Sequence, residues 1–107
     1  MIYKLLLDPL TREDIIEIYE YVYFNDSPES AEQLLDNIED AYFRLEQLPT
    51  RGHIPEELKN TGIKRFKEIH FKYFRIIYEI AEDIVYVHCI LDGRRNIQEI
   101  LSDRLLR

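Results

Sequence analysis

Three arginines and three histidines are the side chains of this 107-residue sequence best equipped for chemistry, and their spacing limits what that chemistry can be. Arg75 lies inside the run Phe74-Arg75-Ile76-Ile77-Tyr78-Glu79-Ile80, while Arg94 and Arg95 follow Gly93. A guanidinium presents a planar fork that holds two phosphate oxygens and stabilises developing negative charge without a metal. Such a fork works only if it is held still. Alternation from 74 to 80 puts Phe74, Ile76, Tyr78 and Ile80 on one face and Arg75, Ile77 and Glu79 on the other, the period of a pleated strand. A second strand, Ile84 to Leu91, follows a break at Ala81-Glu82-Asp83 and leads into Asp92-Gly93-Arg94-Arg95-Asn96. Pairing of the two brings Arg75 to the strand end that carries Arg94 and Arg95, so the sequence predicts convergence of the three guanidiniums. The structural alternative is that Arg75 pairs with a carboxylate such as Glu79 or Glu68 and orders the sheet.

The histidines give a weaker pattern. His88 and Cys89 are neighbours in a strand and therefore point to opposite faces, which prevents both from ligating one metal. His70 is expected across from His88, but two ligands do not complete a site, and no metal or cofactor is expected. His53, isolated in the loop after Arg51-Gly52, is the one exposed acid-base candidate. Cys89 is the single cysteine, so no internal disulfide forms, in keeping with a reducing compartment.

The elements that position these residues are legible from local signals. Ile2 to Leu7 reads as a short strand stopped by Asp8-Pro9. Thr11, with Asp14 three residues on, reads as a helix N-cap, and Ile15, Ile18, Tyr19 and Val22 recur with helical period to about Phe24. Ser27 caps a second helix with Pro28 at its first position and Glu29 near its positive end. Its apolar stripe is Ala31, Leu34, Leu35, Ile38, Ala41, Tyr42, Leu45 and Leu48, running until Pro49. Residues 49 to 62 form an irregular surface loop with one turn near Glu56-Glu57-Leu58, and 63 to 71 a third extended segment. Asn96 caps a last helix with Ile97, Ile100, Leu101 and Leu105 on its apolar side. The resulting order, β-α-α-β-β-β-α, is an α+β layer in which an N-terminal helical hairpin packs on one face of a small, mainly antiparallel sheet.

Size and charge set outer bounds. The sequence suits one domain spanning 1–107, has no run of the roughly 20 apolar residues a membrane span needs, and lacks a secretory apolar region. A cytoplasmic protein is expected. The net charge of −7 is uneven: residues 1 to 60 carry five Lys/Arg against fourteen Asp/Glu, and residues 61 to 107 carry nine against seven. Broad or sequence-specific DNA binding is disfavoured, because only the second half supplies phosphate-facing cations. Tyr21, Tyr23 and Phe24, set among Glu17, Glu20 and Asp26, suit a protein contact better than a nucleic acid.

The strand Tyr73-Phe74-Arg75-Ile76-Ile77-Tyr78, the Val/Ile-rich strand ending in Gly93-Arg94-Arg95-Asn96 and the preceding helical hairpin resemble the RelE/ParE family of bacterial toxins from type II toxin-antitoxin systems, over Leu5 to about Leu101. In RelE-like members the resemblance implies messenger-RNA cleavage on the ribosome, with Arg75 and Arg95 at the positions of the phosphate-stabilising arginines. Leu101 stands at the position of the tail tyrosine those enzymes use for proton transfer, and Lys64, Lys67 and Lys72 form no strongly basic cluster. The ParE-like branch, whose members block DNA gyrase without the nuclease set, is therefore the expected one, with Arg75, Arg94 and Arg95 contacting the target. A RelE-like endonuclease is the alternative, and a non-toxic relative that keeps only antitoxin binding a further one. The family also implies a cognate antitoxin, expected to dock on the groove between hairpin and sheet through Ile15, Tyr19, Val22, Tyr23, Leu34 and Ile38.

Overall fold

The computed structural model describes residues 2–105; Met1, Leu106 and Arg107, part of the single-domain span expected from sequence, lie outside them. The elements follow the expected order: β1 (Lys4–Leu7), α1 (Pro9–Asn25), α2 (Pro28–Phe43), β2 (Phe66–Phe71), β3 (Phe74–Ala81), β4 (Ile84–Asp92) and α3 (Ile97–Leu105). The sheet runs β1-β4-β3-β2, with β1 parallel to β4 and the other pairs antiparallel.

Alternation in β3 sorts the core into two layers. Phe74, Ile76 and Tyr78, with Val85, Val87 and Ile90, pack against Ile38, Ala41, Tyr42 and Leu45 of the helical-hairpin segment. On the reverse face Phe66, Ile77, Cys89 and Leu91 are covered by Leu58 and by Ile97, Leu101 and Leu105 of α3. Full burial of such side chains stabilises by about 1.5–3 kcal/mol each, so both faces of the sheet are closed by apolar contact.

The helix starts show where local signals compete. Asp8, not Thr11, caps α1: its extended backbone precedes Pro9 at the first helical position, and its Oδ1 accepts the Leu10 N–H at 2.8 Å. Thr11 is fully buried and its hydroxyl donates to the Val87 carbonyl at 2.8 Å. Ser27 does cap α2, accepting the Ser30 N–H at 3.0 Å. That helix ends at Phe43 and tightens into a 3₁₀ turn, Arg44–Glu46. Leu45 stays in the core, whereas Leu48, expected on the apolar stripe, is 60% exposed.

Both hairpin turns are two residues long. Lys72 and Glu82 take positive φ (53° and 57°), a left-handed conformation rare in non-glycine residues. Ala81, expected in the second turn, instead closes β3 opposite Ile84. A register shift opposes Ile77 to Cys89 but Tyr78 to Val87, leaving His88 as the extra residue of a β-bulge. The bulge interrupts the pleat. His88 consequently contacts Glu79 at 2.8 Å and lies edge-on to Phe66, on the same side as Cys89, which overturns the expectation that His88 and Cys89 face apart.

β4 outruns β1 beyond Val87, and side chains cover the edge this leaves. The Ile90 N–H donates to Asp14 Oδ2 at 3.1 Å, and Arg104 donates to the His88 carbonyl at 2.8 Å. Arg104 and Asp14 join through two bonds of 2.9 and 3.0 Å. An unpaired strand edge is a template for wrong pairing; here one ion pair blocks it and ties α1 to α3 around the sheet.

Candidate functional site

The polar chemistry divides between the two faces of the sheet. On the hairpin side, the end of β4, the β2-β3 turn and α1 enclose a cleft of about 440 Å³ lined by Glu17, Tyr21, Val22, Tyr73, Arg94 and Arg95 among others. It continues, through Tyr21, Val22, Tyr73 and Phe74, into a second hollow of about 390 Å³ that reaches Leu34 on α2 and Lys72 in the turn. Arg94 is exposed, its Nε and Nη2 donating to Asp92 at 2.9 and 2.7 Å, and its guanidinium lies 3.8 Å from the Tyr73 ring centroid. The hydrogen bonds to Asp92 raise the arginine pKa, and the same contact holds the Asp92 carboxyl below its usual range. Arg95 is exposed and makes no side-chain ion pair among the described residues. Aromatic surface continues outward along α1: Tyr21 is 66% and Phe24 79% exposed.

Arg75 is elsewhere. Its two terminal nitrogens donate to Glu57 at 2.8 and 2.7 Å in a bidentate pair, while Nε donates to Glu68 Oε1 at 2.9 Å and Nη2 bonds Glu68 Oε2. Of the candidate carboxylates it takes Glu68, not Glu79, which pairs with His88. The bonds to Glu57 raise the Arg75 pKa further, and Arg75 in turn lowers that of Glu57. Glu68 is 1% exposed, so its carboxylate depends on these donors. Arg75 is absent from the cleft that holds Arg94 and Arg95. The expected convergence of three guanidiniums is therefore replaced by a pair at the cleft and a single arginine locked on the far face. β3 alternation already assigns Arg75 to that face; Glu57, which the sequence reading used only to mark a turn, was missed because its contact spans 18 residues.

The histidines also regroup. His70 lies beside His53, ring centroids 5.4 Å apart, rather than opposite His88. The loop after Gly52 forms an isolated antiparallel bridge in which His53 and Glu68 exchange both backbone hydrogen bonds, at 3.1 and 2.6 Å. His70 Nε2 hydrogen-bonds Glu68 Oε1, and His53 Nε2 is 3.9 Å from the same oxygen. Cys89 is buried, and that burial pushes its thiol up to about 12, which leaves it unreactive.

The expected antitoxin-docking residues split. Ile38 is 1% exposed and belongs to the core, because its position on α2 points at the sheet. Ile15 and Leu34 are partly buried against that core, and Tyr19 donates to Glu32 across the helix pair at 2.6 Å. Val22 lines both hollows, and Tyr23 is exposed and edge-on to Phe24.

A helical hairpin folded over a short mixed sheet, with a second helix-covered face, is an α+β architecture that matches the solved structures of RelE and ParE toxins. The chain belongs to the ParE family: residues 5–97 match the family described as the ParE toxin of the type II toxin-antitoxin system parDE. Among solved structures it is similar to the chromosomal ParDE system of P. aeruginosa (TM-score 0.69, 14% identity, covering 83% of this chain and 94% of that one). It is also similar to a double arginine-to-alanine variant of E. coli toxin RelE in the free state (TM-score 0.62, 17% identity, 100% and 98% covered). The RelBE2 toxin-antitoxin complex of Mycobacterium tuberculosis shares the fold at a TM-score of 0.56, with 16% identity and 84% and 96% covered. No curated protein matches the sequence.

Proposed function

We propose that this toxin acts by binding, in the ParE manner, with DNA gyrase as its target and a cognate antitoxin as its neutralising partner. The observation that carries the reading is the state of Arg75: both of its forks are taken by carboxylates, so a substrate phosphate has to displace Glu57 or Glu68 before it meets the guanidinium. Leu101, at the position of the nuclease's tail tyrosine, is buried under the sheet in contact with the reverse-face core and offers no proton. Arg95, and Arg94 in its surface pair with Asp92, stand exposed at the cleft mouth beside Tyr73 and Tyr21, where they can meet a protein target. Purified gyrase should lose supercoiling activity in the presence of the toxin, and Arg94→Ala with Arg95→Ala should weaken that inhibition. No inhibition at stoichiometric excess would remove the gyrase reading.

The antitoxin is assigned to the groove along α1, where Val22 and Leu34 line the hollows and Tyr23 is exposed, with Ile15 and Tyr19 backing α1 from the hairpin side; an amphipathic helix fits such a surface. Carboxylates surround it, so the partner segment should carry basic residues. Assembly that does not weaken with salt would show that apolar burial dominates instead.

One observation favours a second reading, a ribosome-dependent messenger-RNA endonuclease: His53, His70 and Glu57 stand beside Arg75 and can move protons that Leu101 cannot. It predicts codon-linked cuts in translated RNA, lost in Arg75→Lys, which keeps a cation against Glu68 but removes the fork. Intact transcripts during growth arrest would dismiss it.

A further inference from the structure

We propose that His53, Glu68 and His70 form a binding site for a divalent transition-metal ion of the zinc class. One ligand atom from each lies within 4.8 Å of the other two. The backbone fixes this arrangement before any ion arrives. His53 and Glu68 face one another across a two-bond antiparallel bridge, and His70 follows Glu68 by two residues in β2, on the same side of the pleat. Two imidazoles and a carboxylate from adjacent extended segments give three protein ligands and leave a fourth, solvent-facing position, the pattern of an open tetrahedral zinc site.

The local charge favours a cation. Two carboxyl groups, Glu57 and Glu68, face one guanidinium here, so acidic groups outnumber the cation around the cluster. Arg75 occupies Glu68 Oε2 and one direction at Oε1, which orients the carboxylate as an outer-sphere donor does in metal sites and leaves Oε1 a lone pair toward the histidines. Metal–ligand bonds of about 2.0–2.1 Å place tetrahedral ligand atoms roughly 3.3 Å apart. His53 Nε2, now 3.9 Å from Oε1, needs a small advance and the His70 ring a small retreat. Both can move, since their side chains are 61% and 49% exposed, while Glu68 at 2% is the fixed point. The nitrogen ligands select against Mg²⁺ and Ca²⁺, which prefer all-oxygen shells. Bound there, the ion would fasten the 49–62 loop to β2, independently of the cleft holding Arg94 and Arg95.

Calorimetric titration of the metal-stripped full chain with Zn²⁺ tests this, with Co²⁺ absorption reporting the geometry. Saturable 1:1 binding, a rise in Tm with Zn²⁺ but not with Mg²⁺, and tetrahedral Co²⁺ bands are expected. His53→Ala and His70→Ala should each weaken binding by at least about tenfold, as expected when one of three ligands is removed, and His88→Ala should bind as the parent does. Absence of saturable binding, binding unchanged in His53→Ala and His70→Ala, or an equal response to Mg²⁺ would overturn the proposal. Circular dichroism of the variants keeps a failure to fold apart from a failure to bind. Because gyrase inhibition is read in a separate assay, either proposal can fall while the other stands.

Discussion

Arg75 and Arg94 are ion-paired arginines on the two sides of one sheet, yet their surroundings give them opposite properties. Arg75 sits between Glu57 and the fully buried Glu68, with most of its side chain out of solvent. Arg94 holds a half-buried Asp92 across two residues with its own guanidinium at the surface, stacked on a tyrosine that is itself exposed. A buried charge that loses its partner is left stranded in a medium that solvates it poorly, while an exposed one turns to water. The first arrangement builds the molecule and the second leaves a cation available to a partner. Gly93 lets them approach: a Cβ there would stand 2.8 Å from the Tyr73 carbonyl and 3.2 Å from Arg75 Cδ, touching both regions at once.

The sharpest test of this contrast is Arg75→Ala. It removes the donors from the Glu68 carboxylate and should cost about 3–5 kcal/mol, the usual penalty for breaking a buried pair from one side. Chemical denaturation checks it, and a loss under about 1 kcal/mol would mean that the carboxylate finds water or a proton at little cost. Next in size is Gly52→Ala. The added methyl would lie 2.8 Å from the Glu68 carbonyl and 2.4 Å from the Tyr78 hydroxyl, which donates to the Pro49 carbonyl at 2.6 Å. Backbone cannot yield as a side chain does, so the loop must move, at about 1–3 kcal/mol. Because that loop carries His53, hydrogen exchange at the Glu68 amide should speed up in the same variant.

The difference in legibility between the two regions has the same physical root. β3 could be read from its own residues, because Arg75 and Glu79 punctuate an otherwise apolar run within one short window, and Ser27 and Asn96 announce their helices locally: the Ser27 hydroxyl accepts the Ser30 N–H, and the Asn96 side chain lies 3.5 Å from the Glu99 N–H. Asp8 was equally visible in Asp8-Pro9, but Thr11 with Asp14 imitated a cap; what recruits those two instead is β4, through Val87 and Ile90, 76 residues away in each case. The His88 bulge belongs to the pairing of two strands and leaves no mark on either one alone. Glu57 and His53 reach Glu68 and Arg75 on a loop crossing the edge of β2, so spacing along the chain carries no trace of them, whereas Glu68 stands among the partners the sequence itself offers Arg75. The cleft residues Arg94 and Arg95 were legible because a Gly-Arg-Arg turn at a strand end needs no distant partner to be exposed.

Acid should separate the regions more gently. Arg75 holds the Glu57 carboxyl below its ordinary value of about 4.5, and a depressed carboxyl contributes stability that is complete above that value and lost as pH falls through the folded one. Glu57→Gln should therefore be less stable than the parent at neutral pH, with the gap closing below about pH 4.5. Asp92→Asn should show the same sign with a smaller gap, since Arg94 lowers Asp92 in the same direction but from a guanidinium far more exposed than that of Arg75. Thermal melts from neutral pH down to about pH 2, past the ordinary range of both carboxyls, make the comparison, and a gap that widens in acid would refute the assignment.

The smallest stability effect belongs to Arg94→Ala. Its partners are a neighbouring aspartate and an exposed ring, so Asp92 turns to water when the guanidinium is removed, and Tm should fall by no more than it does in Asp92→Asn. If the cleft mouth meets the target, inhibition of gyrase should nevertheless fall, and fall further when Arg95→Ala is added, because contacts between a cation and a partner are lost only in the complex. A variant that melts early would place Arg94 with Arg75 among the structural arginines. One that melts normally and inhibits fully would show that the target is gripped elsewhere along α1, where Tyr21 and Phe24 stand most exposed.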